Sequence, residues 1–289
     1  MNTRVLTFFV LKNLFYSAAF FASFVSWGAN VNAQSAKFDT SYISDQSILV
    51  LRFDIGKLVA MEKMGSKNVE MISKELKKNV GLPLEEMKAI TIQFGKVVEP
   101  KRANNFSITF EQSKPIDKDA MHRARTIPWR DLYEAEYGGK KYLENDIASV
   151  YFSNDRTVSV GHDTAMENLI DAEKGKGEMA SQIRTAPPGS EVQVALRATE
   201  GFDQLVDDLI PFMLNTPINL PPDVNKVVRD AKTGVGSICT RSSTPLHIQI
   251  QFGAGDSATS AKTNLEKLVQ LGKASIPLGE SAMNDELKR

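Results

Sequence analysis

The segment Ser47–Gly56, SILVLRFDIG, constrains the fold more than any other part of the chain. Leu49, Leu51 and Phe53 alternate with Ile48, Val50 and Arg52, so both faces of the extended backbone are largely apolar. A strand reads this way when other structure covers it on two sides. The chain must therefore supply enough neighbours to enclose it. Its 289 residues, 42% hydrophobic and 24% charged, have the balance of a folded protein rather than a disordered one.

The residues that follow set out a repeating plan. KLVAMEKMGSKNVEMISKELKKNVGLP carries Val69, Ile72 and Leu76 at helical spacing, with Lys77, Lys78 and Gly81 marking a helix end. AITIQFG and NNFSITFEQ read as strands, and PIDKDAMHRAR as a short polar helix with Pro115 and Asp117 at its entrance. Further along, SEVQVALRATEGFDQLVDDL repeats the opening strand and helix. Arg52 and Arg197 are 145 positions apart, Leu82-Pro83 and Leu220-Pro221 138 apart, and FSITF at 106–110 answers HIQIQF at 247–252. Offsets this similar point to an internal duplication.

The expected fold is α+β, built as two related halves, each a mostly antiparallel sheet with helices packed on one face. The first half spans 47–175 after a polar lead-in at 34–46. A Gly-, Ser- and Pro-rich linker at 176–190 leads to a second, shorter half at 191–275 and a polar tail at 276–289. An Arg in the first strand of each half suggests a repeated ion pair, each to a carboxylate on a facing helix.

Residues 1–33 read as a signal peptide. Arg4 and Lys12 precede an apolar run, LFYSAAFFASFVSW, and Val31 and Ala33 place small residues where a signal peptidase reads. Cleavage between Ala33 and Gln34 would leave a periplasmic or extracellular protein. Membrane contact is expected only through the N-terminal segment if it stays uncleaved. The chain from Gln34 keeps 33 basic against 35 acidic residues, a net charge of −2. That balance offers no electrostatic footprint for nucleic acid. Cys239, the single cysteine, reads as a small apolar residue in the strand GSICT rather than a reactive thiol.

The chemistry-bearing residues do not assemble into a motif. His122, His162 and His247 are the three histidines, and none has the close spacing of a zinc ligand set. There is no GxSxG elbow, and Asp256 in FGAGDSATS would repel a phosphate, so that loop reads as a turn capping a helix. Glu134 and Glu136 share the solvated side of a strand whose other face holds Tyr133, Ala135 and Tyr137. Trp129 reads as a packing anchor. No catalytic, cofactor-binding or metal residue is assigned, and no cofactor is expected.

His162-Asp163 is the pair that most invites a catalytic reading. Its surroundings read as architecture. Strands at 148–153 and 157–161 join through Asn154-Asp155, and Thr164-Ala165-Met166-Glu167 fits a capping box opening a helix. Met166, Leu169 and Ile170 form the buried stripe of that helix, and Gly175 ends it. His162 is left at the corner without an evident role. The run Tyr151-Phe152-Ser153-Asn154-Asp155-Arg156-Thr157-Val158 resembles a segment recurring in uncharacterised exported proteins of planctomycete-type bacteria. The resemblance implies export and fold, and no mechanism.

These readings converge on an exported, non-catalytic envelope protein that binds a protein partner or a small apolar ligand, with a cleft between the halves as the default site. Two alternatives stand beside it. One is a secreted hydrolase using scattered carboxylates and one His. The other is a periplasmic interaction module held by an uncleaved N-terminal anchor.

Overall fold

The computed structural model describes residues 40–59, 66–95, 105–124, 131–146, 148–172, 176–187, 189–197, 231–239 and 246–252. Strand β1 (Ser47–Asp54) leads into helices α1 (Ile55–Val59) and α2 (Ser66–Val80), then strands β2 (Met87–Gly95) and β3 (Phe106–Gln112). Helix α3 (Lys118–His122) precedes two hairpins, β4 (Tyr133–Tyr137) with β5 (Lys140–Glu144) and β6 (Ser149–Asn154) with β7 (Thr157–Gly161). Helices α4 (Asp163–Ile170) and α5 (Glu178–Ile183) then lead to β8 (Val192–Arg197), β9 (Ala231–Ile238) and β10 (Leu246–Phe252).

The ten strands among the described residues form one antiparallel sheet in the order β10-β9-β8-β1-β2-β3-β7-β6-β5-β4. The architecture is α+β with a single continuous sheet. The strand whose two faces are both apolar, β1, lies inside the sheet between β2 and β8.

One face is aliphatic and aromatic. Phe53, Ile90, Phe110, Val158 and Phe152 lie in one transverse row, and Leu51, Ile92, Ile108 and Val160 in the next. Ile90, Ile92, Ile108 and Phe110 are almost wholly out of solvent. Each such side chain contributes roughly 1.5–3 kcal/mol on burial. Leu58 of α1, Val80 of α2 and Met121 of α3 belong to the same cluster, so these helices cover this face.

The opposite face is covered too, which corrects the expectation of helices on one side. Met179, Ala180 and Ile183 of α5 pack with Ile43, Val50 and Ala195. The physical reason lies in β1 itself: Val50 points away from the main core and needs an apolar lid. The stretch read as a linker, 176–190, supplies that lid through α5.

Local signals hold in part. Helix α2 ends where Lys77, Lys78 and Gly81 place it, with the Gly81 N–H donating to the carbonyls of Leu76 and Lys77 at φ +81°. Asp117 caps α3 by accepting from the Ala120 N–H at 3.0 Å. The β6–β7 connection is Asp155-Arg156, one residue later than expected. A register shift after Phe152 sets Asn154 opposite Thr157, and Asn154 Oδ1 accepts from the Arg156 N–H. Helix α4 starts at Asp163 with His162 as its N-cap, so Thr164 lies inside the first turn rather than at the expected cap position. Cys239 falls just beyond β9 and is half-buried, its Sγ 3.8 Å from the Gly189 carbonyl oxygen.

The expected signal peptide, Trp129, Gly175, the helix expected at the end of SEVQVALRATEGFDQLVDDL, the loop at 253–260 and the tail at 276–289 lie outside the described residues.

Candidate functional site

The face bearing Val50 and Ala195 carries an unusual line of polar side chains. Tyr151 on β6 stands opposite Ser159, and the row continues through Thr109, Thr91, Arg52, Gln193 and Ser237 to His247 on β10. It crosses eight strands. Strand alternation produces it, since each of these residues has an aliphatic neighbour on the other face. Thr109 Oγ1 and Ser159 Oγ lie 2.9 Å apart and satisfy each other. Thr91 Oγ1, Gln193 Oε1, Ser237 Oγ and His247 Nδ1 are buried and lack a hydrogen-bond partner among the described residues. Such groups cost about 1–3 kcal/mol each unless satisfied. Burial alone pushes the Tyr151 phenol above its ordinary range.

Arg52 sits at the middle of this row. Its Nη2 is 3.7 Å from Glu111 Oε1, and the two side chains are only 11% and 14% exposed. Arg197 of β8 instead meets Glu178 of α5 at 3.4 Å and donates to the carbonyls of Asp45 and Ser47. The expected ion pair to a facing helix therefore holds for Arg197. Arg52 finds its carboxylate on the sheet, two strands away. Both arginines tie elements together.

The histidines stand on three separate elements. His122 is the exposed last residue of α3. His162 is half-buried at the N-cap of α4, and its side chain does not cap that helix. His247 is half-buried on β10. Among the described residues no three His, Cys, Asp or Glu side chains converge as metal ligands. Glu134 is exposed and bridged to Lys141 at 2.8 Å.

A small cleft opens between residues 44–47, the ends of β2 and β3, and α4. Ser44, Ser47, Gln93, Asn105, Ser107 and Asn168 line it, and it has room for about one water molecule. Gln93 is already engaged: its Oε1 accepts from Ser44 N and Ser47 Oγ, and its Nε2 donates to the Tyr42 carbonyl.

The two sheet edges differ sharply. Edge strand β4 has five residues and presents exposed Glu134 and Glu136. Charges of this kind discourage another strand from adding to an edge. Edge strand β10, LHIQIQF, has seven residues and carries neither an acid, a Lys or Arg, nor a proline. The two large hydrophobic side chains that stay exposed among the described residues, Tyr133 at 58% and Ile248 at 44%, lie on these two strands. On the aliphatic face beside β10, Gly234 and Gly236 of β9 lie between Leu196 and Val194 on one side and Ile250 and Ile248 on the other. The lack of charge in LHIQIQF is visible in the sequence. Its place at the end of the sheet, among the described residues, is not.

No family model matches the chain, and no curated protein matches it. Among solved structures the chain is similar to crystal forms of the Treponema protein TP0453. Crystal form III shares 12% identity over 81% of this chain and 87% of that one, with a TM-score of 0.42. Crystal form I shares 13% identity over 76% and 81% of the two chains, with a TM-score of 0.38.

Proposed function

We propose that this is an exported, non-catalytic envelope protein whose work is to bind another protein, received as an added strand along β10. The observation that carries the reading is the contrast between the edges: a long, uncharged β10 with Ile248 exposed, and a short β4 guarded by glutamates. An open edge offers unpaired backbone N–H and C=O groups, and alternating side chains on either face supply selectivity. Support for export comes from residues 1–33 and from the resemblance carried by Tyr151–Val158.

A photoreactive residue placed at Gln251 in living cells tests it. The expected result is a covalent adduct with one defined protein, lost when Ile248→Lys puts a charge on the edge. An adduct that ignores Ile248→Lys, or none at all, overturns the reading. Sequencing the N-terminus of the mature protein tests export separately. Gln34 is expected as the first residue, and a retained Met1 on membrane-bound protein would favour the anchored module.

The glycines of β9 favour a small apolar ligand as a second reading. A Cβ at Gly236 would make only ordinary van der Waals contacts, at 3.8 and 3.9 Å, so the missing side chain leaves a notch about one methyl deep on this aliphatic face, against which an apolar group could rest. Gly236→Val would fill that notch. It should abolish uptake of an apolar dye while leaving strand addition intact.

We also infer that the two halves arose by duplication. The support is in the pairing: β1-β2-β3 and β8-β9-β10 are both meanders, joined antiparallel where Val50 faces Ala195, 145 positions on. Matching the two meanders pair by pair then aligns Thr91 with Thr233 and Ile108 with Ile250, each 142 apart. The helix expected at the end of SEVQVALRATEGFDQLVDDL would then be the counterpart of the helices that follow β1.

A further inference from the structure

We propose that β10 also pairs with β10 of a second copy of this chain, antiparallel about a two-fold axis at Gln249, extending the sheet across the dimer. This rests on the reading that β10 receives a strand, and names a copy of the chain as one partner.

The sequence of β10 is self-complementary in that register. With Gln249 opposite its own copy, Ile248 faces Ile250 of the copy, and His247 faces Gln251. Aliphatic side chains meet aliphatic ones on one face, and amides meet amides or an imidazole on the other. No like charges are brought together, because the strand has no acid, Lys or Arg. Directly opposed side chains of this kind are the stabilising unit of an antiparallel pair.

The equivalent pairing at the other edge fails. A β4 strand set against its own copy in the register centred on Ala135 would place Glu134 opposite Glu136, a like-charge contact that destabilises a ladder. Of the two sheet edges among the described residues, only β10 therefore suits a two-fold partner, and the assembly closes as a dimer rather than growing into a filament.

The chain already contains a junction of this type. β1 ends one meander and β8 ends the other, and they lie antiparallel with Val50 opposite Ala195. Pairing through β10 repeats that junction between molecules. Exposed Ile248 gains the cover that Ile250 of the copy provides, and Val194 and Leu196 beyond β9 continue the aliphatic surface inward. A seven-residue strand pair buries less than the roughly 800 Å² per partner of a standard interface, so a weak, micromolar dimer is expected.

Disulfide trapping reads the register directly. In a Cys239→Ser background, Gln249→Cys should oxidise to a covalent homodimer, because opposed Cα atoms about 4.5–5.5 Å apart are within disulfide reach. His247→Cys alone should not cross-link, whereas a mixture of His247→Cys and Gln251→Cys should. In sedimentation equilibrium, the otherwise native protein should dimerise with rising concentration, and Ile248→Lys should weaken that dimer at least tenfold. A protein that stays monomeric at about 100 µM, a concentration far above micromolar dissociation constants, with no Gln249→Cys dimer, overturns the proposal. If the cellular adduct at Gln251 persists in that case, the strand-addition reading survives and the dimer alone falls. If β10 amides are strongly protected from exchange in dilute monomer, the chain covers its own edge and both readings fall.

Discussion

Arg52 reaches across β2 to bring its Nη2 within 3.7 Å of Glu111 Oε1, with both side chains nearly out of solvent. Removing one member of such a pair takes from the other its oppositely charged neighbour in a poorly solvated place. Glu111→Ala and Arg52→Ala should each lower the unfolding free energy by on the order of 3 kcal/mol in urea titrations. Replacing the pair together, Arg52→Met with Glu111→Leu, should recover most of that loss or exceed the native stability. Single substitutions that cost under about 1 kcal/mol and simply add in the double variant would show that the two charges are not coupled.

Glycines 81 and 139 both have positive φ, +81° and +73°, yet they should respond differently. A Cβ on Gly81 would come within 2.5 Å of the Met121 Cα and 2.6 Å of the Ala120 carbonyl oxygen, whereas one on Gly139 meets nothing within 4 Å. Gly139→Ala carries only the left-handed backbone penalty, about 1–2 kcal/mol, and Gly139→Asn less. Gly81→Ala adds displacement of α3 to the same penalty. Its thermal unfolding midpoint should fall clearly below that of Gly139→Ala, and equal midpoints would remove the steric argument.

What could be read from the sequence follows from the range over which each signal acts. The two-faced apolarity of β1, the end of α2 at Gly81 and the Asp117 cap are local, and all three stand where the residues place them. Helices on both faces were a different matter. Val50 demanded cover on its side, but the residues supplying it, Met179, Ala180 and Ile183, lie in a stretch whose Gly and Pro content reads as a linker. The six-residue α5 is too short for helical periodicity to register against that background. The expected cap at Thr164 is displaced by a smaller margin. Thr164 and Glu167 have the required spacing, but His162 occupies the cap. For the candidate site, the polar residues of β2 and β3 were visible as alternation. Their alignment with Gln193, Ser237 and His247 depends on the β1–β8 pairing, which sets Arg52 opposite Gln193, 141 positions further along the chain.

Gln93 anchors residues 42–47 to the sheet through three hydrogen bonds, to Ser44 N, Ser47 Oγ and the Tyr42 carbonyl, at 2.9, 3.1 and 2.7 Å. A leucine of similar size at this buried position removes the amide that pairs with the Ser44 N–H and the Tyr42 carbonyl. Gln93→Leu should cost about 2–4 kcal/mol from those two groups. It should also open the lead-in locally, so limited proteolysis should cut near 40–46 in the variant well before the native protein. Unchanged cleavage there would mean that Ile43, packed with α5, holds the segment alone.

The β4–β5 hairpin is tied to the C-terminal end of α4 by the Tyr137 hydroxyl, which donates to Asp171 Oδ2 at 2.7 Å. The hydrogen bond, and then the carboxylate's charge, raise the phenol above its ordinary value of 10.0. A raised folded-state value means that the clasp is fully present below the phenol's ordinary pKa. It is lost as pH climbs through the raised value, where a phenolate would face a carboxylate. At neutral pH the hairpin is therefore held, and alkaline titration should release it. Tyrosine Cζ chemical shifts followed against pH should show Tyr137 ionising later than it does in Asp171→Asn, which keeps an acceptor oxygen but removes the charge. If Tyr137 titrates identically in both proteins, the charge of Asp171 contributes nothing. If Asp171→Ala also leaves it unmoved, the clasp itself is not formed in solution.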